Sequence, residues 1–126
     1  MEYVLDTHVL LWRLLEPKRL SLKAQAILKD DDNRFLVPTM VMLETQYLIE
    51  IGRIDLDMRD FLEVVSADDH YQFLPFDERV MVQAIHLNDT RDPFDRTILS
   101  HALALHKSII TKDRWMKRMA PQLVIF

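Results

Sequence analysis

Five short apolar runs, separated by helical patterns, constrain this chain more than any other feature. The runs are YVLD at 3–6, FLVP at 35–38, QFLPF at 72–76, SIIT at 108–111 and LVIF at 123–126, each of strand length. Between them lie helical patterns at 8–15, stopped by Pro17, at 22–29 behind Ser21, and at 40–51 behind Thr39 and ended by Gly52. Further patterns run at 58–65 behind Asp57, 78–87 behind Asp77, 93–106 behind Asp92, and 114–119. Parallel strands need long crossovers, so strands alternating with helices predict an α/β fold: a parallel sheet with helices on both faces. With 126 residues, no internal repeat and no long linker, one domain over 1–126 is expected.

Composition removes several function classes. The only glycine is Gly52, which excludes the glycine-rich phosphate loops of Rossmann and P-loop proteins. There is no cysteine, hence no disulfide and no thiolate metal site, in keeping with a reducing cytosol. No apolar run approaches the roughly 20 residues of a membrane span, and MEYVLDTH lacks the pattern of a secretory signal. A cytoplasmic protein with no membrane association is the expectation. The net charge is −4, yet residues 91–118 hold seven Lys or Arg (Arg91, Arg96, Lys107, Lys112, Arg114, Lys117, Arg118) against three Asp. A basic segment thus surrounds a few acids.

Those acids are oddly placed. In an open parallel sheet the ligand crevice lies beyond the carboxyl ends of the strands, where strand order reverses. Asp6 ends the first strand run, and Asp113 follows the fourth by two residues. Asp92 and Asp95 open the helix that feeds the fourth strand, so the acids converge if strands one and four are neighbours. Glu44 lies in the helix MVMLETQYLIEI, whose apolar stripe is read through Met40, Leu43, Tyr47, Leu48 and Ile51, on or beside that stripe. A buried, unpaired carboxylate costs several kcal/mol, so Glu44 needs either a solvent edge or a cationic partner. Each Asp has a plainer reading as a helix cap, strongest for Asp92 in front of Pro93.

Carboxylates converging on one crevice raise one another's pKa unless a cation neutralises them. Oxygen donors without Cys, and without His at chelating spacing, favour Mg²⁺ or Mn²⁺ over structural zinc. Such an ion acidifies bound water and neutralises charge developing on a phosphate. It also lets an acidic protein act on a polyanion while Lys and Arg grip the backbone.

Four stretches, YVLDTHVLLW, the Glu of VMLETQYLIEIGRI, RDPFDRTILSHALA and IITKDRW, occur in an order and at a chain length that resemble the PIN-domain ribonucleases, and within them the VapC-type toxins. The resemblance spans essentially the whole chain. It implies a parallel five-stranded sheet sandwiched by helices and Mg²⁺- or Mn²⁺-dependent endonucleolytic cleavage of RNA. It further implies Asp6, Glu44, Asp95 and Asp113 as metal-binding and catalytic acids. Asp92 keeps the capping role, with a contribution behind the ligands and an i,i+4 pairing to Arg96. Thr7 and Thr111, beside two of the acids, are candidates to orient carboxylates or water, with a plain cap an equal reading for Thr7. His8 is a candidate substrate contact. The implied partners are an RNA substrate, a small VapB-like antitoxin that sends a basic side chain toward the acids, and a second copy in a homodimer or hetero-oligomer. Leu10, Trp12, Leu14, Met40 and Tyr47 are interface candidates that also suit a core. Two departures are Leu43 and Thr90, where relatives often carry Trp and His; neither removes a ligand.

Two other functions fit the same layer logic. A phospho-accepting receiver domain also has an acid after its first strand, but it requires an adjacent acid there and an Asp ending strand three; here strand three gives Phe76 and Asp77. A nuclease-dead RNA- or protein-binding module would keep the fold and lose the chemistry.

Overall fold

The computed structural model describes all residues from Met1 to Phe126. Its five strands are β1 (Glu2–Leu5), β2 (Arg34–Pro38), β3 (Tyr71–Leu74), β4 (Ser108–Ile110) and β5 (Val124–Ile125), all parallel, in the order β3-β2-β1-β4-β5. The helices are α1 (Thr7–Leu15), α2 (Leu22–Lys29), α3 (Thr39–Glu50), α4 (Met58–Ala67), α5 (Glu78–His86), α6 (Pro93–Leu105) and α7 (Arg114–Met119), with a 3-10 turn at Pro17–Arg19. The chain moves outward from β1 to β3 and then crosses back to β4 on the other side of β1. With right-handed crossovers, that reversal puts α1 to α4 on one face of the sheet and α5 to α7 on the other. The parallel five-stranded α/β expectation is met. A receiver-type sheet runs 2-1-3-4-5, so this strand order excludes that reading.

β1 is the centre of the sheet. It pairs with β2 (Val4 opposite Leu36) and with β4 (Val4 opposite Ile109), and both of its faces are covered. Val4, Leu5, Val37, Ile109 and Ile110 are completely buried, within one continuous core of 24 residues. Continuous apolar strands of this kind are what a doubly covered parallel sheet demands. The strand pairing continues past β1, since Asp6 N–H donates to the Ile110 carbonyl at 3.2 Å. The loops after β1 and β4 therefore emerge side by side.

Most predicted boundaries hold to within a residue or two, and the differences have local causes. The third strand is Tyr71–Leu74 rather than 72–76, because Pro75 has no N–H to extend a ladder, and Phe76 is left exposed. Ser21, Asp57 and Asp77 cap α2, α4 and α5 through their side chains, whereas Thr39 is the first residue of α3 and caps nothing. Gly52 adopts φ +74° just past α3, and Arg53 N–H returns to the Leu48 carbonyl at 2.9 Å, closing the helix end. His106 does the same for α6 at φ 51°.

The stripe drawn on α3 is corrected. Its buried face is Val41, Glu44 and Thr45; of the expected stripe Met40 and Leu48 pack partly buried against the core, while Leu43, Tyr47 and Ile51 are exposed. The helix is apolar on two faces, and sequence periodicity favoured the longer one. Leu10 and Trp12 on α1 are core residues, leaving Tyr47 as the exposed member of the interface candidates named from the sequence. No helix is long and apolar enough to cross a membrane.

Candidate active site

Four of the acids are placed by the ends of elements that meet at the carboxyl edge of β1 and β4, and Glu44 by the middle of α3. Asp6 follows β1 and caps α1, its Oδ1 accepting from Thr7 N–H at 2.7 Å. Asp113 follows β4 and caps α7, accepting from Met116 N–H at 2.8 Å. Asp92 caps α6, accepting from Phe94 N–H at 2.9 Å and Asp95 N–H at 3.1 Å, with Pro93 at the first helical position. The cap readings are therefore correct for all three, and they do not compete with a shared site. Capping fixes each Asp at the start of a helix, and the fold brings those helix starts to one place.

Asp6, Glu44, Asp92, Asp95 and Asp113 all line one cavity of about 430 Å³. Its remaining wall comprises His8, Val9, Trp12, Arg19 and Lys112, with the Arg19 guanidinium 4.7 Å from the centre of the Trp12 ring. Thus His8, Arg19 and Lys112 bring exposed nitrogen groups to a cavity that is otherwise strongly acidic.

Two threonines tie the acids together. Thr7, which does not cap α1 with its side chain, donates its hydroxyl to Glu44 Oε1 at 2.5 Å while its N–H holds Asp6. Thr111 donates to Asp6 Oδ2 at 2.6 Å and accepts from Asp113 N–H at 3.0 Å. Both threonines are buried, so Glu44, Asp6 and the Asp113 backbone form one hydrogen-bonded chain. The expected role of Thr7 and Thr111 in orienting carboxylates has this structural counterpart.

Burial and mutual repulsion govern the charges. Desolvation is the main cause raising Asp6 above the usual carboxylate range, partly offset by the hydrogen bonds from Thr111 and Thr7. Glu44 is pushed up to about 7, first by burial and then by Asp6, Asp92 and Asp113, against the lowering effect of the Thr7 hydroxyl. Asp95 is pushed up to about 8 by burial and by the negative charges of Asp6, Asp92, Asp113 and Glu44. No hydrogen bond offsets that shift for Asp95. Its carboxyl is the uncompensated acid of the cavity.

This donor set suits a hard divalent cation, because every side chain that repels its neighbours would be relieved by one positive ion. The fit is an open one. No three His, Asp or Glu side chains close into a ready-made coordination shell. Mg²⁺ tolerates this, since it commonly keeps several waters and takes only one or two carboxylates directly.

Arg96 is corrected. It does not pair with Asp92; its Nε donates to the Ala84 carbonyl at 2.6 Å and a terminal nitrogen donates to the Ile85 carbonyl at 3.2 Å. The end of α5 has unpaired carbonyls that attract the guanidinium more than a cap already occupied by two N–H groups does. Sequence reasoning missed Arg19 and Trp12 as cavity wall, because a cation after Pro17 carries no motif. It also missed His101, fully buried on α6, whose Nε2 has no hydrogen-bond partner.

Known proteins agree with this architecture. A family model described as PIN domain matches residues 3–121. The chain is 28% identical over 116 residues to Ribonuclease VapC22 of Mycobacterium tuberculosis, covering 90% of this chain and 88% of that protein. In structure it is similar to VapBC2 from Rickettsia felis bound to a DNA fragment from their promoter (TM-score 0.73, 17% identity, 100% and 98% of the two chains). It is also similar to VapBC-1 from nontypeable Haemophilus influenzae (TM-score 0.68, 16% identity, 98% and 96%). A third match is FitAcB from Neisseria gonorrhoeae (TM-score 0.67, 18% identity, 100% and 97%). The likeness to the solved structures is one of fold, and the family match, covering nearly every residue from β1 to the turn before β5, is one of sequence. The chain therefore belongs to the PIN domain family.

Proposed function

We propose that this protein is a Mg²⁺- or Mn²⁺-dependent endoribonuclease, the toxin of a VapBC-type pair, acting on cytoplasmic RNA. The observation that carries the reading is the single cavity in which Asp6, Glu44, Asp92, Asp95 and Asp113 face Arg19 and Lys112. Family membership and the similarity to Ribonuclease VapC22 support it.

Asp6, Glu44, Asp95 and Asp113 are the residues that would hold the ion. When bound, the ion supplies a lowered pKa to an attacking water and neutralises charge on the scissile phosphate. The protein's own contribution is preorganisation. Thr7 and Thr111 fix Glu44 and Asp6 in position before substrate arrives, so little reorganisation is left for the reaction. Without a cation, Glu44 and Asp95 hold protons near neutral pH and the cavity is partly discharged. Arg19 and Lys112 offer cations to a phosphate that the acids would otherwise repel.

An antitoxin partner fits the same cavity, since a basic side chain inserted among the five acids would take the place of the metal's charge. The solved relatives VapBC2 and VapBC-1 support that partner. The exposed stripe Leu43, Tyr47 and Ile51, with Tyr47 resting 5.5 Å from Phe94, supports a protein-covered face for it or for a second copy in a homodimer.

The test is cleavage of RNA by the purified, antitoxin-free protein. Cleavage should require Mg²⁺ or Mn²⁺, stop with EDTA and fall by about a hundredfold or more in Asp6→Asn and Asp95→Asn, which should remain folded. Undiminished activity in both variants refutes the site. RNA binding without cleavage under every metal condition would establish the nuclease-dead module instead.

A further inference from the structure

Beside the acid cavity lies a second cleft, of about 420 Å³, that the reaction as described does not use. Lys23 from α2, Lys112 from the loop after β4, and Arg114 and Lys117 from α7 line it, with Phe126 along one wall. All four cations are exposed, and none takes part in an ion pair, whereas Lys107 in the same basic segment is spent on Glu2 at 2.9 Å. The cleft is continuous with the acid cavity, because Lys112 and Asp113 line both. Phe126 meets Trp12, a wall residue of the acid cavity, edge to face at 6.3 Å, so an aromatic ridge runs between the two spaces.

Four unpaired cations from two separate segments, α2 and the stretch 112–117, beside a partly exposed aromatic ring, match what a single-stranded nucleic acid needs: a charged track for phosphates and a face for stacking a base. A free anion or an apolar ligand would not need both. We propose that this cleft binds the backbone of single-stranded RNA on one side of the scissile phosphate, with Lys112 as the hinge between the gripping cleft and the acid cavity. The proposal rests on the ribonuclease reading. It explains how a chain of net charge −4 draws in a polyanion, since four exposed cations are gathered next to the acids.

The experiment compares the triple variant Lys23→Gln/Arg114→Gln/Lys117→Gln with a charge-matched control, Lys18→Gln/Arg59→Gln/Arg79→Gln, whose cations are exposed elsewhere. Binding of a fluorescent single-stranded RNA oligonucleotide is followed by anisotropy across a salt series, with Mg²⁺ present and in an Asp95→Asn background that suppresses cleavage. KM for RNA is measured without the Asp95 change, and thermal unfolding verifies each fold. Three lost phosphate contacts should weaken binding by about tenfold or more and flatten the plot of log affinity against log salt by about 2, with KM rising in parallel. The control triple should leave the slope as it is.

An unchanged slope in the cleft triple, or equal changes in both triples, overturns the cleft. A cleft triple that binds RNA normally but loses affinity for the antitoxin overturns it too, assigning the cleft to a protein partner. Preference for duplex over single strands does the same. If the protein binds RNA through the cleft yet never cleaves it, the nuclease reading fails and the cleft stands. If it cleaves and the cleft triple is unaffected, the cleft alone fails.

Discussion

Thr111 shows how much a single hydroxyl decides here. It donates to Asp6 and accepts from the Asp113 backbone, linking residues far apart in sequence within a buried setting. Thr111→Val keeps the shape and removes both bonds, leaving a buried carboxylate short of one donor. Stability should fall by about 1–3 kcal/mol in a denaturant titration, and RNA cleavage should fall further than Thr111→Ser allows. His101 is the opposite case, a buried ring whose Nε2 has no partner. Burial lowers its pKa from 6.5 to about 4, so between those values the unfolded chain takes up a proton that the folded chain refuses. The contribution of His101 to stability should therefore be lost on acidification from about pH 6.5 to 4, opposite in sign to that of the raised carboxyls Glu44 and Asp95. His101→Leu should flatten that loss in thermal unfolding followed against pH, and an unaltered profile would show that His101 is not its source.

At the scale of elements, the site is built from helix beginnings. α1, α6 and α7 each start at an Asp that serves both its helix and the cavity. Asp92 is the member of the three whose cap bonds hold the backbone of another cavity acid, Asp95. Asp92→Ala should cost about 1 kcal/mol and loosen the placement of Asp95, while Asp92→Asn keeps a capping oxygen and should recover most of the stability. Recovery of stability without recovery of cleavage would assign Asp92 a direct part in the reaction. α3 contributes differently, through a mid-helix residue, and only because its buried face is Val41, Glu44 and Thr45.

For the molecule as a whole, the concentrated negative charge couples folding to pH and, on the proposed reading, to a divalent cation. Glu44 and Asp95 rise from ordinary values of 4.5 and 3.8 to about 7 and about 8. Through that window the folded protein holds protons the unfolded chain has released, so the metal-free protein should lose stability as pH rises from about 5 to 8. Mg²⁺ or Mn²⁺ should raise the unfolding temperature more at pH 8 than at pH 6, because only deprotonated carboxylates gain from the cation. Glu44→Gln and Asp95→Asn should each be more stable than the unsubstituted chain at pH 8 without metal and should respond less to metal. A metal effect that is the same at both pH values would remove the carboxylates from its cause.

The succession of strands and helices was legible from local pattern, because apolar periodicity, proline and capping residues act over a few positions. Asp6, Asp92 and Asp113 could likewise be placed at element ends from the letters around them. Their convergence could not, since it depends on β4 settling beside β1 after a crossover of some thirty residues, from β3 to β4. The same holds for the buried face of α3, where two apolar stripes compete and only packing against the sheet selects one, and for Arg96, which turned to the open carbonyls of α5 instead of a nearby acid. The sequence by itself determined which groups stand at the edge of the sheet. The tertiary structure decided which of them share one cavity, because burial and charge repulsion exist only once distant segments are packed together.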